Sequence, residues 1–319
     1  MTRTNLALLA AIALALPLSL LAGRVWIDPF HPALAAAPAI LFELRLPRGV
    51  LALVVGAGLG GAGAAMQGYL RNPLADPGLF GIAPGAALGA VLALLTGASA
   101  GYALPLAALI GAGSAMALLA LIAGRTAGVT LFTLAGMMIA SLAGALTSLA
   151  ISLAPNPFAL SEIVTWLMGA LTDRGWPDVW IATPPTLLGL AVLAWAGRDL
   201  DALTLGEDAA RSLGVEPRRV QALMIVGVGL TVGAGVAVAG IIGFVGLMVP
   251  HLVRRFTDRR PSRLIVPSAL AGALLVLIAD MLCRILPLAG GELRLGIGLS
   301  LLGAPFFLML LLRMRRGLA

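Results

Sequence analysis

Long apolar runs dominate the chain, separated by short stretches that gather prolines and most of the charge. A helix that crosses a bilayer needs about 20 apolar residues. On that measure the pattern predicts spans near 5–23, 49–69, 80–96, 104–123, 130–150, 179–196, 220–239, 241–253, 264–283 and 296–312. No charge divides the seventh from the eighth, because GAGVAVAGIIGFVGLMVP runs through both, so Gly240 and Gly243 mark the expected turn. Membrane β-barrels show alternation in segments of about ten residues, and these runs are unbroken. The expected fold is an all-α polytopic membrane protein of about ten spans, with 1–319 a single transmembrane domain.

The halves echo each other. GAGLGGAGAAMQ in the second span and GVGLTVGAGVAVAG in the seventh share a Gly/Ala-rich design five spans apart and running in opposite directions. An inverted five-plus-five repeat accounts for that spacing. GAGLGG, residues 56–61, formally matches the dinucleotide fingerprint G-x-G-x-x-G. That fingerprint requires a preceding strand in a soluble βαβ unit, whereas here it lies inside an apolar run, where small residues serve close helix packing.

Composition sharpens this reading. Of 319 residues 60% are hydrophobic and 11% charged; the 21 basic residues are all arginine and give a net charge of +7. The arginines sit between apolar runs, where topology and anionic lipid explain them better than nucleic acid does. With the N-terminus inside, Arg24, Arg45, Arg48, Arg174, Arg284 and Arg294 fall outside and the other 15 of 21 inside. This fits the positive-inside bias, with both termini cytoplasmic. Without lysine the chain has no Walker-type phosphate loop. The single Cys283 excludes an intrachain disulfide and a cysteine metal cluster, and His31 and His251 are too few for a histidine-rich one. Residues 5–23, with Arg3 ahead and LAG at the end, have the form of a cleavable leader. The many later spans favour an uncleaved first span.

Three polar stretches carry candidate function. RNPLADPG, residues 71–78, reads as a turn, or as a loop dipping into the membrane where irregular backbone must line a cavity or be buried in protein. ELRLPRG, residues 43–49, places Arg45 and Arg48 against the topological bias. They are either snorkelling anchors or a site for an acidic partner. LTLGEDAARSLGV, residues 203–215, lies in a charged loop at about 198–219. Thr204 and Glu207 have capping-box spacing and Gly214 suits a left-handed stop, so a helix of about nine residues, roughly 13 Å, is expected. Leu205, Ala209 and Leu213 share one face; Glu207, Asp208 and Arg211 are polar. A lipid-lying helix calls for a basic polar face, so docking into a groove on another protein is the better reading.

Taken together these segments resemble the FecCD family, the permease subunits of type II ABC importers for vitamin B12, haem and ferric siderophores. The resemblance rests on RLPR, GAGAAMQGYLRNPLADPGLFG, LTLGEDAARSLGV, GFVGLMVPHLVRR, PSALAGALLVLIAD and LGIGLSLLGAPFFL, in the family's order. It implies a homodimer in the bacterial inner membrane with the path at the dimer interface. Two separate ABC ATPase subunits would bind ATP and magnesium, leaving this chain without a cofactor or catalytic residues, and a periplasmic binding protein would deliver a metal chelate. Leu205, Gly206, Glu207, Asp208, Ala209, Ala210, Arg211, Leu213 and Gly214 would form the coupling helix. Arg45, Arg48 and Arg284 match arginines that pair with glutamates of the binding protein. Asn72 and Leu74 match a cytoplasmic gate, Val129 or Thr130 a second one, and Met137, Ser141 and Ser148 would line the path. An iron chelate, siderophore or haem, is favoured as cargo, with vitamin B12 the alternative.

Two other classes compete. An ion-driven secondary transporter also uses inverted repeats and broken helices, but it normally needs ionisable residues deep in its spans. Here these are nearly absent, and Asp280 lies toward one end of its span. An intramembrane enzyme lacks paired acids, histidine clusters or an activated nucleophile within the apolar runs.

Overall fold

The computed structural model describes residues 2–23, 26–27, 37–98, 101–124, 128–286 and 291–316; Arg24, His31, Arg125 and the rest of 125–127 lie outside them. Among the described residues twelve α-helices of six residues or more follow one another. They are α1 (Arg3–Leu21), α2 (Leu46–Tyr69, entered through a π-helical turn, Ile40–Arg45), α3 (Ile82–Leu95) and α4 (Ala103–Ala123). Next come α5 (Val129–Ser152), α6 (Pro157–Leu167), α7 (Trp176–Leu203) and the short α8 (Glu207–Ser212). The last four are α9 (Pro217–Ala239), α10 (Val245–Val253), α11 (Pro261–Ile285) and α12 (Leu295–Arg316). Eight of them are long and apolar enough to cross a membrane.

The other two expected spans are short helices. At 1.5 Å per residue α3 is about 21 Å long and α10 about 13 Å. The expected span 241–253 starts late because Gly240 and Phe244 both take positive φ, 70° and 66°, which opens a non-helical stretch between α9 and α10. The turn expected at Gly240 and Gly243 falls in that stretch. One helix was not anticipated: α6 starts at Asn156, whose side chain accepts from Ala159 N at 2.9 Å, with Pro157 in its first turn.

The two Gly/Ala-rich segments pack alike. The helical stretch through α2 and the helix α9 are each 78% buried over their most apolar windows, far more than α4 or α5 at 28%. Each leads through irregular backbone into a short helix, α3 or α10. The glycines of the formal nucleotide fingerprint make these helices approach closely. A Cβ at Gly56 would fall on the carbonyl oxygen of Gly272 in α11, and one at Gly58 would meet Thr186 of α7 and Thr231 of α9. Small residues admit backbone to backbone where lipid gives helices no hydrophobic reason to associate.

The irregular stretches meet well inside the bundle. A Cβ on Gly246, at the start of α10, would lie 2.6 Å from Pro77 and 3.1 Å from the Leu59 carbonyl. Leu59 stands ten residues, roughly 15 Å of helix, before the end of α2. RNPLADPG therefore returns into the span region, as irregular backbone can when protein buries it. It lines a cavity of ≈ 220 Å³ with Val55, Leu59 and Gly240–Gly243.

Candidate functional site

The ends of the bundle carry different chemistry. At one end α8 packs between the close of α7 and the start of α9. It is shorter than its expected nine residues, and its cap differs from the capping box foreseen. Thr204 is the C-terminal cap of α7, its hydroxyl donating to the Asp201 carbonyl at 2.6 Å, while Gly206 at φ 104° begins α8. With its hydroxyl committed to α7, Thr204 does not cap α8. Gly214 does supply the left-handed stop, at φ 83°.

Ala210 is fully buried and anchors α8, while Leu205 and Leu213 are 68% and 65% exposed. Ala209 and Asp208 are exposed too, and Arg211 lies 3.9 Å from Glu207 one turn away. Two bare leucines beside a mixed-charge pair form a surface that single-chain folding leaves uncovered. Behind the helix Glu207, Tyr69, Arg71, Leu203, Pro217 and Val129 line one small cleft. Val129 is half-buried there and Thr130 is exposed. The contact continues inward, because Tyr69 meets Phe132 edge-on at 5.2 Å and Phe132 meets Phe80 at 5.4 Å.

RNPLADPG is held by two local turns. Asn72 accepts from Leu74 N at 2.9 Å and Asp76 from Gly78 N at 2.7 Å. Asn72 is exposed and Leu74 half-buried. Close by, Arg254 donates to Gln67 Oε1 at 3.0 Å, and Gln67 Nε2 donates to the Gly246 and Leu247 carbonyls, tying α2 to α10. Burial first, then the charge of Arg259, lowers the pKa of Arg254 from its ordinary value.

At the opposite end an ionic cluster joins α1, α2 and α11. Arg48 forks onto Asp280, with Nη2 2.8 Å from Oδ1 and Nε 3.0 Å from both oxygens, and Nη1 donates to Glu292 at 2.8 Å. Arg284 Nη2 donates to Ser19 Oγ at 2.7 Å and to its carbonyl at 3.1 Å, while its Nε lies 3.5 Å from Asp280. Arg45 donates to the Leu20 and Leu21 carbonyls. Asp280 is fully buried and Arg284 4% exposed. The acidic partners that the sequence argument sought on another protein are thus supplied, for Arg48, by this chain. Neither Asp280 nor Glu292 was singled out beforehand as a partner, because pairing over 232 and 244 residues leaves no local pattern.

Met137, Ser141 and Ser148 all lie exposed on α5, Met137 at 45%. With Leu134 they follow steps of three, four and seven residues, which is one stripe of a helix. Among the described residues no cluster of His, Cys, Asp and Glu has metal-site form.

Comparison with known proteins agrees with this architecture. Residues 8–313 match the model of the FecCD transport family. The uncharacterized ABC transporter permease protein YvrB of Bacillus subtilis is 40% identical, covering 87% of this chain and 80% of its own length. The vitamin B12 import system permease protein BtuC of Vibrio cholerae is 37% identical over 93% of this chain and 89% of its own. A solved inward-facing structure assigned to the metal-chelate type of ABC transporter superposes with a TM-score of 0.89 at 32% identity, covering 97% and 98% of the two chains.

Proposed function

The chain belongs to the FecCD transport family, as a multi-pass permease of the metal-chelate and vitamin B12 type of ABC importer, and from that premise we propose how its parts work. The α8 end faces the cytoplasm and α8 is the coupling helix, seated in a cleft of a separate ATPase. The observation that carries this is the exposed face of Leu205, Ala209 and Leu213 beside the Glu207–Arg211 pair. An amphipathic helix presents such anchors to a groove.

Two copies of the chain, two ATPases and a periplasmic binding protein form the working assembly. Closure of the ATPases on ATP moves α8, and Glu207, Val129, Tyr69, Phe132 and Phe80 are the contiguous side chains through which that movement reaches the re-entrant loop. Asn72 and Leu74, with Val129 or its neighbour Thr130, close the path on the cytoplasmic side. The exposed stripe Met137, Ser141 and Ser148 lines it between the copies. The chain does no chemistry on its cargo; ATP and the docked binding protein bias two states of access.

Arg45, Arg48 and Arg284 steer the acidic docking face of the binding protein. For Arg48 and Arg284 this acts through the field of a cluster with three arginines against two acids, more than through a bare guanidinium. The iron chelate expected from sequence and vitamin B12, which is named for several relatives at 37–39% identity, both fit a permease of the metal-chelate type as cargo.

Vesicles holding the chain with its ATPase, given binding protein and a labelled chelate, test the reading. ATP-dependent accumulation is expected. Accumulation that persists without the ATPase would establish an ion-driven transporter instead.

A further inference from the structure

One stripe on the outer surface of α7 is ordered like a bilayer. Trp180, Leu187, Leu188 and Trp195, spaced by seven, one and seven residues, are 58–70% exposed. Exposed positions at that spacing share one face of a helix. The two indoles bracket about 22 Å of helix, most of a hydrocarbon core of roughly 30 Å. Tryptophans take such places at both borders of a membrane. The leucines between them meet acyl chains.

Beyond the Trp195 border the stripe turns basic. Arg219, from the first turn of α9, holds its guanidinium carbon 4.9 Å from the centre of the Trp195 ring. Arg198 follows Trp195 by three residues and so shares its side of α7. A Cβ on the adjoining Gly197 would lie 3.0 Å from the Cα of Ser262, which brings Arg263 of α11 alongside. Arg198, Arg219 and Arg263 are all exposed, and none forms an ion pair among the described residues. Asp201 is spent on Ser262, accepting from its N at 2.9 Å and from its hydroxyl. Asp199 and Glu216 adjoin the row in sequence without pairing to it, so with Arg218 it keeps a net positive charge. The first turn of α9 carries Arg218 and Arg219 and no acid, a sign that the helix dipole disfavours at that end. Water alone satisfies an exposed guanidinium. It does not explain why Arg219 lies along an indole at the border, where its charge is held at headgroup level instead of reaching out into solvent.

We propose that this row is a binding site for the headgroup of an anionic phospholipid. Arg198 and Arg219 donate to its phosphate from either side of Trp195, Arg263 adds to the field, and the acyl chains lie along Leu188 and Leu187. A zwitterionic lipid offers the same phosphate but brings a cation that the arginines repel, so the row selects by the net charge of the headgroup. The inference needs only that α7 crosses a bilayer. It goes beyond the importer reading and holds for any cargo.

The test titrates the full chain, purified in dodecyl maltoside and stripped of lipid, with dioleoyl phosphatidylglycerol or dioleoyl phosphatidylcholine, and counts bound lipid by native mass spectrometry. The wild type binds phosphatidylglycerol in preference. Arg198→Gln and Arg219→Gln each weaken that binding about fivefold, the share of one arginine at an anionic surface. Asp199→Asn tightens it, a gain that a misfolded variant cannot give. R3Q/R255Q removes as much charge as R198Q/R219Q, at exposed positions where α1 meets the Phe256 carbonyl through Thr4, and leaves the affinity at the wild-type level. Equal losses in the two double variants overturn the site and leave only diffuse attraction. Equal binding of the two lipids by the wild type overturns it too, as does displacement of bound phosphatidylglycerol by excess inorganic phosphate, which would make the row a site for a free anion. Unchanged lipid binding by R198Q/R219Q, with the ATPase lost on co-purification, would give the row to a protein partner instead.

Discussion

Arg48 was legible in the sequence as an arginine set against the topological bias, but its surroundings were not, because Asp280 and Glu292 come from the far end of the chain. Their geometry predicts a sharp asymmetry. Arg48→Met leaves Asp280 charged and fully buried, with Arg284 at 3.5 Å as its ion-pair partner among the described residues. Breaking a buried pair from one side costs about 3–5 kcal/mol, whereas replacing both partners with apolar groups is often close to neutral. The midpoint of thermal unfolding in detergent should therefore fall steeply for R48M and recover only part of the loss in R48M/D280L, because Arg284 is then buried without the acid beside it. Equal midpoints for the wild type and R48M would mean that the pair carries no stability. The Ser19 contact of Arg284 belongs to the same lesson: it pins α1 to α11, yet nothing around Ser19 in the sequence marks it.

Elements were read best where their punctuation is local. The stop at Gly214 and the turn at Gly240 need a backbone conformation that glycine adopts freely, so the sequence names them. Thr204 failed for an instructive reason. Its hydroxyl lies between two helix ends, and the Asp201 carbonyl closing α7 won over the amides opening α8. The α6 helix was missed because its Asn-Pro start reads equally as a turn, and its eleven residues fall below span length.

For α8 the exposed face separates folding from docking. Swapping the charges, E207R/R211E, keeps a pair one turn apart, half-buried at 207 and exposed at 211, and changes stability by no more than about 1 kcal/mol. The same holds for L205D/L213D, whose leucines are already bare in the folded chain. Both variants should nevertheless lose the ATPase on co-purification, the leucine variant more completely, because apolar anchors carry most of the energy of a helix in a groove. Full recovery of the ATPase with both variants would move coupling away from this helix.

At the scale of the whole molecule, single-chain folding leaves long apolar helix faces uncovered. The most apolar windows of α5 and α12 are only 28% and 22% buried. Lipid can cover such surfaces, and leucines such as Leu142 and Leu146 need nothing else. The stripe of Met137, Ser141 and Ser148 is different, since serines on a helix exposed only to lipid gain nothing there. If two copies meet about a two-fold axis with the path between them, residues near the axis face their own counterparts. Ser141→Cys, in a Cys283→Ala background, should then cross-link between copies with a short bismaleimide in native membranes. Ala143→Cys, buried within the chain at 5% exposure, should not. A path along α5 further requires that substrate protect S141C from the reagent during turnover. Cross-linking without protection would keep the dimer and remove α5 from the path. No cross-link at Ser141, in membranes where the assembled complex is recovered, would place the two-fold axis on another face of the chain.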